Sequence, residues 1–233
     1  MIIGNGLIAK ALRPIDSSSV VFIAAGVSNS KCNDYKEFTR EFNLVKKVLL
    51  DHPDKLIVFF STYSIFDESL KNSAYVIHKQ SLEKYISSSK NQYLIARVSN
   101  IVGRGGNPNN VFNFLFNSIN QDKQFELWKN SSRNLLLIDD FVKILKYVLK
   151  VEIKSAESKI VNIVNSQNFS VEEIIHAIEK QLNKKALYKE VDSSSNSGFV
   201  DNESKKRFIM SGIQSDNYME NLVKFIHANR LIN

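Results

Sequence analysis

Cysteine occurs once in this sequence, at Cys32, and proline three times. A lone cysteine excludes an intrachain disulfide, so an apolar core must hold the fold, and a cytoplasmic setting is the expectation. No apolar run approaches the roughly 20 residues that a spanning helix needs. The start, Met1-Ile2-Ile3-Gly4, lacks the basic stretch, long apolar core and small-residue cleavage site of a secretory leader, so none is expected. The histidines, His52, His78, His176 and His227, are scattered without metal-ligand spacing. Each is read as a surface or helix histidine, and no metal site is expected. Internal repeats are absent, and low complexity is confined to serine runs at 17–19, 87–89 and 193–197, read as loops.

What is present is an ordinary globular composition, with 43% hydrophobic and 24% charged residues over 233 positions. That length allows one large domain, or one with a small appendage. The formal net charge is +7, which can attract nucleic acid, anionic lipid or a phosphorylated small molecule. The basic residues are scattered, and no recognition-helix or zinc signature accompanies them. Neither a nucleic-acid nor a membrane partner is expected, and a phosphate-bearing small ligand is.

Short β-rich apolar runs alternate with helical patterns. Strands are predicted at Val20–Ala25, Leu56–Phe60, Tyr93–Val98 and Ile160–Val164. Helices are predicted around Glu37–Leu50, Ala74–Ser87, Asp139–Leu149 and Val171–Leu182. This alternation predicts an α/β fold with a parallel sheet covered by helices on both faces. The Asn- and Gly-rich stretch Arg104–Asn134 breaks the pattern and is assigned, with the segment after Ser197, to a substrate-binding cap. The division expected is 1–103 plus 135–165 for the sheet domain and 104–134 plus 166–233 for the cap.

Three motifs carry chemistry. Gly4-Asn5-Gly6-Leu7-Ile8-Ala9 matches G-x-G-x-x-G/A between a short strand and a helical run, a turn that lets backbone approach a pyrophosphate. A tight strand–helix turn without a ligand would leave the same pattern. Tyr75 and Lys79 are four apart, hence on one helix face, where an ammonium can stabilise a phenolate. The hydroxyl cluster Ser61-Thr62-Tyr63-Ser64 ends a buried strand, where open α/β sheets bind ligands. Thr62 lies 13 residues before Tyr75 and can orient a carbonyl that Tyr75 protonates. Weaker candidates are Trp128, read as a base or sugar platform or plain core, Cys32, read as a buried or semi-buried thiol, and Asp139 and Asp140, read as helix N-caps.

The order of these motifs, with Ala24-Ala25-Gly26-Val27-Ser28 after a strand, resembles the short-chain dehydrogenase/reductases. Further segments resemble their extended, sugar-nucleotide branch. Asn43 sits where those enzymes carry a helix Asn. Ala96-Arg97-Val98-Ser99-Asn100-Ile101-Val102-Gly103 is similar to the strand end that touches the nicotinamide. Arg133-Asn134-Leu135 through Asp139-Asp140 is similar to the segment whose Arg binds a substrate phosphate. Val200-Asp201 through Lys205 and Gly212 is similar to the C-terminal stretch.

The resemblance implies a Rossmann-like fold and a nicotinamide cofactor bound by Gly4, Asn5, Gly6, Leu7, Ile8, Ala25, Lys79, Asn100 and Ile101. It implies catalysis by Thr62, Tyr75 and Lys79, and a nucleotide-sugar substrate contacted by Ser61, Asn43, Asn110 and Arg133. The expected reaction is NAD(P)H-dependent reduction of a nucleoside-diphosphate 4-keto-6-deoxysugar. The alternatives are a nucleotide-sugar 4-epimerase and a non-catalytic dinucleotide-binding sensor. The family normally places two more strands and a helix between the first helix and the strand at Val20, and those residues are missing. The fold is therefore expected to be trimmed on the adenine side, with an open sheet edge at which a homodimer can form. No acidic residue stands ready to reject a 2′-phosphate, and Lys10 and Arg13 can attract one, so NADP(H) is favoured over NAD(H).

Overall fold

A computed structural model describes residues 1–106, 110–153, 157–193 and 195–230, with the backbone alone at Arg230. The part of the Asn-rich stretch at 107–109, and Ser194 in the last serine run, lie outside the described residues. In chain order the first half comprises β1 (Ile2–Ile3), α1 (Leu7–Ala11), β2 (Val20–Ile23), α2 (Tyr35–Asp51), β3 (Leu56–Thr62), α3 (Ala74–Ser87), β4 (Tyr93–Val98) and β5 (Asn100–Val102). The second comprises α4 (Val111–Asn120), β6 (Phe125–Trp128), β7 (Ser132–Arg133), β8 (Leu135–Leu137), α5 (Ile138–Tyr147), β9 (Lys159–Ile163), β10 (Phe169–Ser170), α6 (Val171–Leu182), β11 (Tyr188–Val191), α7 (Asn202–Met210) and α8 (Tyr218–Arg230).

The central sheet is parallel, in the order β1-β2-β3-β4-β9. Its strands are apolar on both faces because both are covered, as expected of a buried parallel sheet. Alternation sorts the side chains. Phe22, Val58, Phe60, Leu94 and Ala96 pack toward α5, where Phe141 and Ile144 meet them. Val21, Ile23, Ile57, Phe59 and Ile95 pack toward α2 and α3, where Val45, Val48, Leu82 and Ile86 meet them. Each such buried side chain contributes roughly 1.5–3 kcal/mol of transfer free energy.

Among the described residues β1 forms one edge of this sheet. The common doubly wound order puts two further strands beyond it. Leu12 to Val20 leaves too little chain for them, since a strand needs about 5 residues plus its connections. The deletion has a topological consequence. The steps β1 to β2, β2 to β3 and β3 to β4 run in one direction across the sheet. α2 and α3 cover one face, whereas α1 lies on the other, against α5. The β1–α1–β2 crossover therefore has the opposite hand to the next two. Such crossovers are right-handed in about 98% of cases, so this one departs from the rule, as does the β4–β9 connection, whose α5 covers the same face as α1. It is tolerable because α1 keeps the face on which it can bury Leu12 and Ala9.

The second half folds onto the α5 side. α4, α6 and α8 join the same core through Phe112, Ile174, Ile178 and Val223, and α7 packs on α5 and β9. Small ladders tie its loops together: β5 with β8, β6 with β11, and β7 with β10. The N-cap reading of Asp139 and Asp140 is corrected, since α5 begins at Ile138 with Leu137 as its cap. Asp140 instead accepts a hydrogen bond from the Tyr218 hydroxyl at 2.9 Å, and that hydroxyl accepts one from the Leu137 N–H at 3.0 Å.

Candidate active site

Parallel strands bring their C-terminal ends to one edge, and the loops there enclose a cleft of about 1220 Å³. Gly4 leaves β1 with φ +131°, and a Cβ there would lie 2.3 Å from the Ala24 carbonyl oxygen. Its lack of a side chain is thus required by the packing of the two strand ends. A Cβ at Gly6 would meet nothing within 4 Å, so this part of the turn opens outward. Gly6, Leu7 and Ile8 line the cleft. Gly4 and Asn5 are exposed and Ala25 half-buried, and none of these three lines it.

Thr62, Tyr75 and Lys79 share one wall of the cleft. β3 ends at Thr62, whose Oγ1 accepts the Ser64 N–H at 3.1 Å and so caps the turn that follows. Ser73 caps α3 by accepting the Val76 N–H, which sets Tyr75 in the first helical turn. Tyr75 is buried among Val27, Val76, Phe38 and Leu70. One turn on, Lys79 is 2% exposed. Its Nζ donates to Glu41 Oε1 at 2.6 Å and to the Phe60 carbonyl at 3.5 Å. Glu41 comes from α2 and is fully buried. Its Oε2 accepts the Val27 N–H and lies beside His78 Nε2, both at 3.0 Å. Burial raises the Glu41 pKa, but the His78 hydrogen bond, the Lys79 charge and the Val27 N–H outweigh it and hold the carboxyl at about 2.

Ser61 also lines the cleft, but its side chain points to the other side of β3 from Thr62, as alternation requires. Its hydroxyl donates to Glu83 at 2.5 Å, and Glu83 also receives Arg97 at 2.6 Å. The opposite wall carries Ser99, Asn100, Ile101 and Asn110. Asn110 caps α4 by accepting the Phe112 N–H and donates to the Ile101 carbonyl, each at 2.8 Å. The Ser99 hydroxyl oxygen is buried and has no hydrogen-bond partner among the described residues. Arg133 reaches the cleft from β7, its guanidinium held by the Ser132 and Ser195 carbonyls. Burial lowers its pKa, with the Asp67 carboxylate opposing that effect. Asp67 is itself buried and accepts Ser69 and Ser195 hydroxyls at 2.6 and 2.8 Å. Trp128 is not core: it is 41% exposed and lines the cleft. Among the described residues no cluster of three or more His, Cys, Asp or Glu is placed to hold a metal ion, and no helix is long and apolar enough to cross a membrane.

The model described as the NAD dependent epimerase/dehydratase family matches residues 16–163. The chain belongs to this family. Solved structures agree in fold. A UDP-glucuronic acid 4-epimerase from Bacillus cereus, in complex with UDP-glucuronic acid and NAD, superposes with a TM-score of 0.70 at 18% identity, over 94% of this chain and 78% of that one. A UDP-glucose 4-epimerase from Thermus thermophilus, complexed with NAD, gives 0.70 at 15%, over 94% and 81%. A dTDP-glucose 4,6-dehydratase from Bacillus anthracis with NAD gives 0.69 at 15%, over 97% and 79%. No curated protein matches the chain.

Within the family frame, Asn43 departs from the sequence reading as Gly4, Asn5 and Ala25 do. Asn43 is exposed on α2 and does not line the cleft. The inward positions of that helix are 41, 45, 48 and 49, and a residue two places from Glu41 is turned away by about 200°. Glu41 holds the inward place instead. His78, read as a surface or helix histidine, lies on helix α3 and is buried there against Glu41, with Phe38 stacked on it at 4.4 Å. A signal for both was present: a Glu in the apolar stripe of α2, and a His beside Lys79.

Proposed function

We propose that this protein is a cytoplasmic NAD(P)H-dependent reductase acting on the keto group of a nucleoside-diphosphate 4-keto-6-deoxysugar. The observation that carries the reading is the wall formed by Thr62, Tyr75 and Lys79, with a tyrosine rather than a carboxylate following Thr62. Tyr63 is buried and its hydroxyl donates to the Phe199 carbonyl at 2.8 Å; burial and then the Asp201 charge push its pKa up to about 12. It is therefore no substitute for the carboxylate a dehydratase places there.

The cleft residues fit one end of a nicotinamide dinucleotide. The orphaned Ser99 hydroxyl, with Asn100 and Ile101, suits a nicotinamide, and the open turn at Gly6, Leu7 and Ile8 suits a pyrophosphate. Gly4, Asn5 and Ala25 would support that turn from outside the cleft. For the adenosine the chain offers the exposed Lys10 and Arg13 beside the β1 edge. When bound, the reduced cofactor supplies a hydride to the carbonyl carbon. Tyr75 gives its phenolic proton to the carbonyl oxygen. The Thr62 oxygen already accepts from Ser64, so its own O–H is left to donate to that carbonyl. Lys79 holds its ammonium between Tyr75 and Glu41, and Ser61 supports the wall through Glu83. Residues 104–134 and 166–233 supply the cap, with Asn110, Arg133 and Trp128 facing the sugar nucleotide, and self-association at the β1 edge completes the proposal.

A panel of keto-sugar nucleotides assayed with NADH and NADPH is the test, and failure of every 4-keto-6-deoxysugar would overturn it. The second reading is a 4-epimerase, the activity for which several of the structural neighbours are named. Stoichiometric NAD retained by the purified protein would select it. The placement of charge sets two further expectations. Arg133→Ala should raise KM by the equivalent of roughly 1.5–3 kcal/mol, with cofactor affinity little changed; a selective loss of cofactor binding would assign Arg133 to the other ligand. Calorimetric titration should show NADPH binding more tightly than NADH, and tighter NADH binding would remove Lys10 and Arg13 from the site.

A further inference from the structure

Glu41 has no part in the reaction above, yet it is buried against that reaction's lysine. The pair is boxed in. A Cβ on Gly26 would fall 2.3 Å from Glu41 Oε1 and 2.9 Å from Lys79 Nζ. An ionised carboxylate only accepts hydrogen bonds, so His78 Nε2 carries the proton it points at Glu41. Lys79 Nζ lies 5.1 Å from the Phe59 ring centre and 5.9 Å from that of Tyr75. At this range an isolated ammonium favours a phenolate. With a carboxylate 2.6 Å from it, the charge becomes one end of a short dipole, whose field at the phenol is much weaker.

We propose that Glu41 is a positioning residue that offsets the charge of Lys79 at Tyr75, keeping the phenol as a proton donor and suiting the site to carbonyl reduction rather than to a reaction that begins with oxidation. The inference rests on the reductase reading. In the reduction a C–H bond forms from the hydride, the C=O π bond breaks, and the oxygen takes the Tyr75 proton; the nicotinamide is oxidised and the ketone becomes an alcohol. The phenolate left behind is reprotonated from solvent. An oxidation-first reaction needs that phenolate at the outset. Other titratable and charged groups on the segments around Tyr75 are His78 on its own helix, Lys31 and Cys32 in the β2–α2 segment, and Asp67 in the β3–α3 segment.

The test needs neither substrate nor cofactor. Tyrosinate absorbance is titrated in the wild type and in Tyr75→Phe, and the difference isolates Tyr75. The same subtraction is made in Glu41→Gln, Lys79→Met and the double variant. The midpoint should fall by about 1 pH unit in Glu41→Gln, the low end of the range for one charge within about 4–6 Å. It should rise in Lys79→Met and return near the wild-type value in the double variant. A Glu41→Gln midpoint equal to wild type, or a double variant that stays with Lys79→Met, would overturn the proposal. If Glu41→Gln does not fold, the other two variants carry the same comparison. Shifts of the expected sign alongside a failed keto-sugar panel would refute the reductase and leave the charge offset standing.

Discussion

Tyr75→Phe should lower turnover by about two to four orders of magnitude, the scale of a positioned acid. Removal of the hydroxyl deletes the acid that transfers its proton to the substrate oxygen, leaving the Thr62 hydroxyl with only a hydrogen bond to give and Lys79 held by Glu41. The ring is retained, and with it the packing of Tyr75 on Val27, Val76 and Leu70. Stability should change by less than about 1.5 kcal/mol, as with volume-conserving changes generally. Single-turnover rates and urea midpoints measured on the same preparation separate the two effects. Turnover within tenfold of wild type would remove Tyr75 from the mechanism.

The largest effect on stability is expected at Glu41. Glu41→Ala leaves the Lys79 ammonium, 2% exposed, without its counter-charge, and it strips the Val27 N–H and His78 of their acceptor. Breaking one side of a buried ion pair costs about 3–5 kcal/mol, a large share of a domain's stability. The wild type should show the matching pH dependence. The Glu41 carboxyl is held at about 2, below its ordinary 4.5, so the unfolded chain takes up the proton first on acidification. Its contribution is complete above about pH 4.5 and is lost as the pH falls toward 2, roughly 3 kcal/mol in all. Urea unfolding at a series of pH values should show this slope in the wild type and its loss in the variant. Parallel profiles would mean that the pair carries no net stability.

The α/β alternation was legible because each element obeys a local rule. Ala74–Ser87 and Val171–Leu182 have apolar faces at helical spacing, with a serine cap before each. Tyr93–Val98 is a short apolar run bounded by turn residues. The trimmed sheet edge was legible from simple chain length between Leu12 and Val20. The placement of α1 opposite α2 was not, because the hand of a crossover depends on which face still has apolar surface to cover. Asn43 was misplaced for a related reason: a motif match fixes spacing along the chain, whereas burial is set by the rotation of α2 about its axis.

From the sequence alone come the strand–helix alternation, the Gly-rich turn, and Tyr75 and Lys79 on one helix face, since an i, i+4 spacing is local geometry. Tertiary structure alone decided what surrounds that set. It brought Glu41 of α2 onto both Lys79 and His78 of α3, set Asp67 and Ser195 beside Arg133, and turned Trp128 from core candidate to cleft wall. Those contacts join positions 37 to 128 residues apart. Whether a buried charge is paired or exposed depends on such distant partners, and the local pattern of a sequence does not encode them.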